Sequence, residues 1–469
     1  MLQENYLGLP HDEEAIAALS SGRDAAAIAV LRMSGTGCME KLSRCLRTVT
    51  ASPFMPGRMR LCELSDPVTG EVIDQPMAVM FAAPHSYTGQ ESAELFLHGG
   101  PWLVTKALKV LYGCGFRAAE PGEFTRRAYL NGKLDLTEAE GIRLLVEASS
   151  HQEWLAARQL ADGQLRREIG ELRQMVLESM AWLEARIDFP DEKETSAVEW
   201  AHVDQKVGKV RESLLGLLHS FDSGRVASQG LRVTLLGRPN AGKSTLLNAM
   251  LGEERAIVTE LPGTTRDYLE ESCLVQGRLI RLVDTAGIRE GGDVVEKIGI
   301  SRSLEIAKTS DLVLLLVPAD ASAADLEWLD AWEKAEASSE VTFLRVLTKA
   351  DLPSPGWLTS YDKDSWMQIS CQEGSGLKEL RQKLADLVDA CIAPLQQKKT
   401  FITSPRHKQA LEGAIKNLES FVQGRHSGAW EEMLAFELRE LARQLGSVIG
   451  ETSSDEVLGE VFRTFCVGK

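Results

Sequence analysis

The sequence predicts a multidomain protein of mixed α+β and α/β class, in which a domain of long helices is interrupted by a parallel-sheet unit of alternating strands and helices. Length is the first observation: 469 residues correspond to about three domains at ~150 residues each. The second is a break in composition. From Leu136 to about Phe221 proline almost disappears, and apolar residues recur as Ile169, Leu172, Val176, Met180, Leu183 and Ile187, a spacing of threes and fours that lines one face of a helix. The third is the pattern that follows. The aliphatic runs "LRVTLLG", "RLIRLVDTAG", "DLVLLLVPAD", "VTFLRVLTKAD" and "SWMQISCQ" alternate with helical segments, as strands and helices do around a parallel sheet.

Taken in order, residues 1–133 mix short β-type runs with glycine turns ("AAAIAVLRMSGTG", "AVMFAAPHSYTG", "AELFLHGG") and one helical stretch, "PWLVTKALKVLYGCG". This is the expected α+β domain. Residues 134–228 form the first part of the helical domain, with a break at Pro190, and the polar stretch "DSGRVASQG" leads into the α/β domain over 229–392. After Pro394 the helical spacing returns at Leu434, Leu438, Leu441 and Leu445. Residues 393–469 are therefore expected to pack against the earlier helices, leaving the α/β domain as an insertion.

Composition narrows the partners. An apolar fraction of 44% and a charged fraction of 26% are those of an ordinary globular chain, which excludes large-scale disorder. The net charge of -16 repels a nucleic-acid backbone overall, so any such partner must meet a local basic patch or be brought by another protein. Eight cysteines are scattered without a CxxC or a zinc-type spacing and read as free thiols of a reducing compartment. The N-terminus lacks the basic and apolar regions of a signal peptide, and the longest aliphatic run is Leu312 to Val317; the expectation is a cytoplasmic protein with no membrane role. A terminal Lys469 after "CVG" also argues against prenylation of Cys466.

The chemistry is concentrated in the α/β segment. "LRVTLLGRPNAGKSTLLNAM" is a strand, a glycine loop and a helix, and Gly237 to Ser244 fit G-x-x-x-x-G-K-[ST]. In that pattern the loop backbone, including Asn240, Ala241 and Gly242, wraps phosphate, Lys243 reaches the β- and γ-phosphates, and Ser244 can ligate magnesium, with Thr245 following at the helix start. "LVDTAG" places Asp284 at a strand end for the magnesium shell, followed by Thr285, Ala286 and Gly287, whose N–H suits the γ-phosphate. "LPGTTRD" offers Thr264 and Thr265, the latter placed to close on magnesium. "TKAD" brings Thr348, Lys349 and Asp351, the last to accept from the guanine N1 and N2 edge, and "ISCQEGSGL" closes the base pocket with Ser370 and Cys371. These motifs in this order read as a Ras-like P-loop GTPase.

Two departures stand out. Thr348 occupies the position where this motif usually carries Asn, so an amide contact is replaced by a hydroxyl. Ile288 follows "DTAG" where Ras-like enzymes carry a water-orienting Gln, so water and positive charge must be supplied otherwise. Asn240, with the "VTELPGTT" segment (Thr259, Leu261, Thr264), offers oxygens for a monovalent cation, although an Asn in such a loop is as often a turn residue.

The motifs "GRPNAGKST", "GTTRD", "DTAGIRE", "EKIGI", "SYTGQES", "EFTRRAYLNGKLDLTEAE" and the terminal "FCVGK" together resemble the MnmE (TrmE) family of tRNA-modification GTPases over essentially the full length. The resemblance implies a potassium-dependent GTPase that works with the flavoprotein MnmG (GidA) to install an aminomethyl or carboxymethylaminomethyl group at C5 of the wobble uridine of tRNA. The one-carbon unit would come from a tetrahydrofolate derivative (5-formyl or 5,10-methylene). It implies a homodimer formed through an N-terminal folate-binding domain, with potassium-assisted pairing of the G domains. By position, Asn240, Thr259, Leu261 and Thr264 match the potassium site, Ser244 and Thr265 the magnesium ligands, and Glu296 the acid that orients the attacking water, a residue that on its own reads as a helix-dipole partner. Arg32, Glu94, Lys133 and Lys469 match the folate pocket, although Arg32 and Glu94 alone read as surface strand charges. Cys466 matches the cysteine of the C-x-G-K ending, as a reactive thiol or as packing for the last turn. The G motifs alone leave open a ribosome- or assembly-associated regulatory GTPase, and a folate enzyme regulated by its G domain is the other alternative.

Overall fold

The computed structural model describes residues 12–22, 24–49, 54–188, 198–252, 269–284, 309–336, 342–353, 355–360, 365–452 and 454–468. They form two compact units, one of residues 1–143 with 446–469 and the other of residues 144–445.

In the first unit, β1 (Ile16–Leu19), β2 (Ala26–Ser34), β3 (Leu46–Thr48), β4 (Arg60–Ser65), β5 (Val72–Asp74), β6 (Met77–Phe81), β7 (Ser92–Gly99) and β8 (Arg117–Ala118) make one sheet in the order β3-β4-β6-β7-β2-β1-β8, with β5 on β4. The period of two along a strand sorts the side chains. Ala29, Leu31 and Met33 of β2 and Ala93, Leu95 and Leu97 of β7 enter one core with Ala107, Val110 and Leu111 of the helix Pro101–Gly113. Arg32 and Glu94 therefore face the other way, and the antiparallel register sets them directly opposite each other.

In the second unit, β9 (Leu231–Leu236), β10 (Leu269–Val275), β11 (Arg278–Asp284), β12 (Leu312–Pro318), β13 (Thr342–Thr348) and β14 (Trp366–Ile369) form a sheet in the order β10-β11-β9-β12-β13-β14. Only the β10–β11 pair is antiparallel. Every residue of β12 is buried, which accounts for its unbroken aliphatic run. Leu312, Leu314 and Leu316 enter one core, and Val313, Leu315 and Val317 enter the core on the opposite face.

The long helix Gln164–Asp188 buries Leu165, Ile169, Leu172, Val176, Ser179 and Leu183. Ser179 replaces the expected Met180, which is half-buried, as is Ile187. The seam alternates strictly by fours and threes, and the inward hydroxyl is satisfied by donating to Met175 O at 2.8 Å. Leu434, Leu438, Leu441 and Leu445 are buried. The late helical segment bonds to the early one: Arg173 Nε donates to Ala442 O (3.3 Å), Arg186 pairs with Glu431 (2.7 Å), and Lys398 Nζ donates to Gly216 O (2.6 Å). The expected break at Pro190 lies outside the described residues. Among the described residues no helix is long and apolar enough to cross a membrane.

Candidate functional site

The phosphate-type loop follows β9 and ends in the helix Lys243–Leu251. At Gly237 an added Cβ would stand 2.6 Å from Leu316 O, so only glycine lets the loop leave the sheet this close to β12. Asn240 has φ 66°, a left-handed backbone that asparagine tolerates better than most residues. Lys243 is buried, and its ammonium is held inside the loop by Gly237 O at 2.6 Å and Arg238 O at 3.0 Å. Ser244 Oγ donates to Asp284 Oδ2 at 3.3 Å, joining the start of the helix to the end of β11. Ser244 and Thr245 are exposed. A hydroxyl and a carboxylate converging at an open helix N-terminus form an oxygen donor set that suits magnesium.

The "TKAD" and "ISCQEGSGL" segments bond to the phosphate-type loop and to each other. Thr348 ends β13 and is buried, and its hydroxyl donates to Ala241 O at 2.7 Å, tying the "TKAD" segment to the phosphate loop. Lys349, at φ 56°, pairs with both carboxylate oxygens of Asp320 at 2.9 Å. Asp351 Oδ1 accepts from Ser370 Oγ at 2.6 Å, and the Ser370 N–H donates to Ser375 O at 3.0 Å. Burial first and the Asp351 carboxylate second push the neighbouring Cys371 thiol above its ordinary value. Thr259, Leu261, Thr264, Thr265, Thr285, Ala286, Gly287, Glu296 and Lys469 lie outside the described residues.

In the first unit, Arg32 and Glu94 line a cavity of about 300 Å³ with Ser34, Tyr87, Thr88 and Phe124 among its walls. Arg32 Nε donates to Glu94 at 2.9 Å, and its guanidinium lies 5.4 Å from the Tyr87 ring centre and 5.9 Å from that of Phe124. Both rings hold the Arg32 guanidinium by cation–π contact, Tyr87 from a half-buried position and Phe124 from a fully buried one. Lys133 is not in the wall, but its ammonium donates to Pro84 O at 3.1 Å, next to the lining residue His85. Tyr87 and Phe124 were not singled out by sequence pattern. Tyr87 does fall in the motif "SYTGQES" and Phe124 in "EFTRRAYLNGKLDLTEAE", the signals that pointed to them.

The C-terminal residues are docked. Phe462 and Phe465 pack with Leu136, Ala139 and Leu458. Beyond them the backbone of Val467 bridges Pro121, Gly122 N donates to Cys466 O at 3.4 Å, and Ser20 Oγ donates to Gly468 O at 3.0 Å. Gly468 has φ 96°, and a Cβ there would come within 2.1 Å of Leu19 O, so the penultimate residue must be glycine. Cys466 itself is exposed. Its tail meets β1 beside the residue that opposes Arg32 in the register, and it meets Gly122, which opens the helix bearing Phe124. All eight cysteines are free thiols, and among the described residues no cluster of His, Cys, Asp or Glu could hold a metal ion.

Between cavity and tail lies a buried ion network that sequence reading missed. Glu123 accepts from Arg117 (2.6 Å), from Arg127 Nη2 (2.6 Å) and from Glu120 N (2.8 Å). Arg127 donates further to Glu14 O (2.7 Å) and Gln90 Oε1 (3.1 Å), and Gln90 Oε1 also accepts from the cavity residue Ser34 at 3.4 Å.

Two family models match this chain. Residues 15–133 match the family model described as GTP-binding protein TrmE N-terminus, and residues 136–466 match the model of the MnmE helical domain. The tRNA modification GTPase MnmE of Aquifex aeolicus is 37% identical over 457 residues, spanning 97% of this chain and 100% of that protein. The tRNA modification GTPase MnmE of Natranaerobius thermophilus is 36% identical over 462 residues, spanning 97% and 100%, and that of Akkermansia muciniphila is 37% identical over 458 residues, spanning 97% and 99%.

Proposed function

Because the chain belongs to the MnmE (TrmE) family of tRNA modification GTPases, we propose that it hydrolyses GTP in a potassium-dependent way to drive modification at C5 of the wobble uridine of tRNA. Its partner is the flavoprotein MnmG (GidA), and the product carries an aminomethyl or carboxymethylaminomethyl group. The observation that carries the GTPase half is the closed set of bonds around the phosphate loop: Lys243 on Gly237 O and Arg238 O, Ser244 on Asp284, and Thr348 on Ala241 O. A lysine already fixed inside the loop meets the β- and γ-phosphates without first being ordered, which is how preorganised charge lowers a barrier.

In this reading Asn240, Ala241, Gly242, Lys243, Ser244 and Thr245 hold the phosphates, Asp284 serves the magnesium shell, Thr285, Ala286 and Gly287 follow it beside the γ-phosphate, and Thr348, Lys349, Asp351, Ser370 and Cys371 form the base pocket. Ser244 and Thr265 would hold magnesium, and Asn240, Thr259, Leu261 and Thr264 potassium; together the two cations supply positive charge along the phosphates. Glu296 orients the attacking water. In the first unit, Arg32 and Glu94, with Lys133 and Lys469, bind a tetrahydrofolate derivative beside Tyr87, and Cys466 acts in the modification chemistry on its docked tail. The protein works as a homodimer whose G domains pair during turnover.

Steady-state GTP hydrolysis in matched potassium and sodium chloride tests the cation part. Turnover is expected to rise roughly tenfold or more in potassium alone, as charge supplied beside the phosphates lowers the barrier. Equal, slow rates in both salts would remove Asn240 from that role.

A further inference from the structure

The base pocket holds a consequence for nucleotide selectivity that rests on reading residues 348–351 as the guanine site. Guanine offers N–H donors at N1 and N2, and acceptors at O6 and N7. An ionised Asp351 only accepts, so it takes the donor edge. A side chain that reads N7 must donate. An asparagine at position 348 would bring an amide with two N–H donors and an acceptor, enough to hold the phosphate loop and the base at once.

Thr348 has one hydroxyl hydrogen, and the geometry spends it elsewhere. The hydroxyl donates to Ala241 O at 2.7 Å from a residue that is 3% exposed. A Cβ built on Gly242 would lie 3.6 Å from Thr348 Oγ1, so the hydroxyl is seated against the phosphate-loop backbone. Neighbouring donors are engaged too. Lys349 Nζ is on Asp320 at 2.9 Å, Ser370 Oγ is on Asp351 at 2.6 Å, and the N–H groups of Ala350 and Ser370 bond Ile369 O and Ser375 O at 3.1 and 3.0 Å.

We propose that this chain takes the N1 and N2 edge of guanine with Asp351 and does not read N7, because Thr348 gives its single hydrogen to the phosphate loop. Thr348 then lines the base pocket as a positioning residue for the phosphate loop, through Ala241 O, and makes no polar contact to the base. Nucleotides of 7-deazaguanine, in which N7 is replaced by C–H, serve this protein as well as the natural ones do.

The test is the Kd of GDP and of 7-deaza-GDP for the full chain, measured for the native protein, Thr348→Val and Thr348→Asn. The native protein should bind the two nucleotides within about twofold of each other. Thr348→Val should weaken both by one common factor, roughly tenfold, because the Ala241 carbonyl loses its partner. Thr348→Asn should introduce a preference for GDP of roughly tenfold, as the new amide donor meets N7 in one nucleotide and C–H in the other. A native protein that binds 7-deaza-GDP roughly tenfold more weakly, with that preference erased in Thr348→Val, would overturn the proposal, because the hydroxyl would then be reading N7. If the native protein binds neither nucleotide, the assignment of residues 348–351 as the base pocket fails, and the proposal with it. No tRNA or flavoprotein enters the assay, so the result is independent of the proposed uridine chemistry.

Discussion

Replacing Lys243 with alanine is expected to lower GTP turnover by roughly 10²–10³-fold, the scale on which one preorganised charge at a developing oxyanion acts. The lysine is not a surface cation that salt and water would screen. It is buried in the loop, between the carbonyls of Gly237 and Arg238, where a charge acts on the transferring phosphoryl group through little intervening water. The helix it opens should survive, because Leu246, Leu247 and Met250 remain in the core below the sheet. Single-turnover hydrolysis read beside far-UV circular dichroism checks both statements. Turnover within threefold of the native rate would take Lys243 out of the mechanism.

The second large effect is expected far along the sequence from the GTPase motifs. Glu123→Gln should destabilise the first unit by about 3–5 kcal/mol, the cost of removing one partner from a buried ion pair. Both side chains of the Glu123–Arg127 pair are 0% exposed, so the variant removes the charged acceptor of Arg127 Nη2 from an enclosed site. The network also carries a pH dependence. Burial pushes the Glu123 carboxyl up, but the bonds from Arg117, from Glu120 N and from Arg127 together outweigh burial and hold it below its ordinary value. A carboxyl depressed on folding stabilises the fold above its unfolded pKa of about 4.3 and loses that contribution as pH falls through the folded value. Denaturant unfolding of the native protein should therefore show a loss of stability of the first unit on acidification below about pH 4.3, a component that Glu123→Gln lacks. Equal stability of the two proteins at pH 7 would show that the pair is dispensable.

How far the sequence alone reached depends on the range of the forces involved. The phosphate loop was legible because its residues are consecutive and their spacing is dictated by one anion; Gly237, Lys243 and Ser244 stand where the pattern placed them. The parallel sheet was legible because a strand buried on both faces must be aliphatic throughout, as β12 is. The helical seam was legible in period but not in phase: hydrophobicity selected Met180, whereas the fours-and-threes register turned Ser179 inward, its hydroxyl satisfied locally by Met175 O. The Arg32–Glu94 pairing depends on strand register between residues 62 positions apart, which no local pattern encodes. The burial of Glu123 and Arg127 reads in sequence as an ordinary charged helix turn, because only the surrounding elements decide whether such a pair is enclosed. Cys466, the fourth residue from the chain end, read as a reactive thiol or as packing for the last turn, and it is exposed. What pins it is Gly468 fitting against Leu19 O and the bridge from Val467 to Pro121, contacts made across almost the whole length of the chain.

The central claim is that GTP hydrolysis by this chain drives chemistry on a tRNA base. Its most direct test is nucleoside analysis of tRNA incubated with the protein, the MnmG flavoprotein and a tetrahydrofolate one-carbon donor in potassium buffer, with either GTP or a non-hydrolysable analogue. The account predicts a wobble uridine modified at C5 with GTP and an unmodified one with the analogue. Equal product with the analogue, or vigorous hydrolysis of GTP with no modified uridine at all, would contradict it.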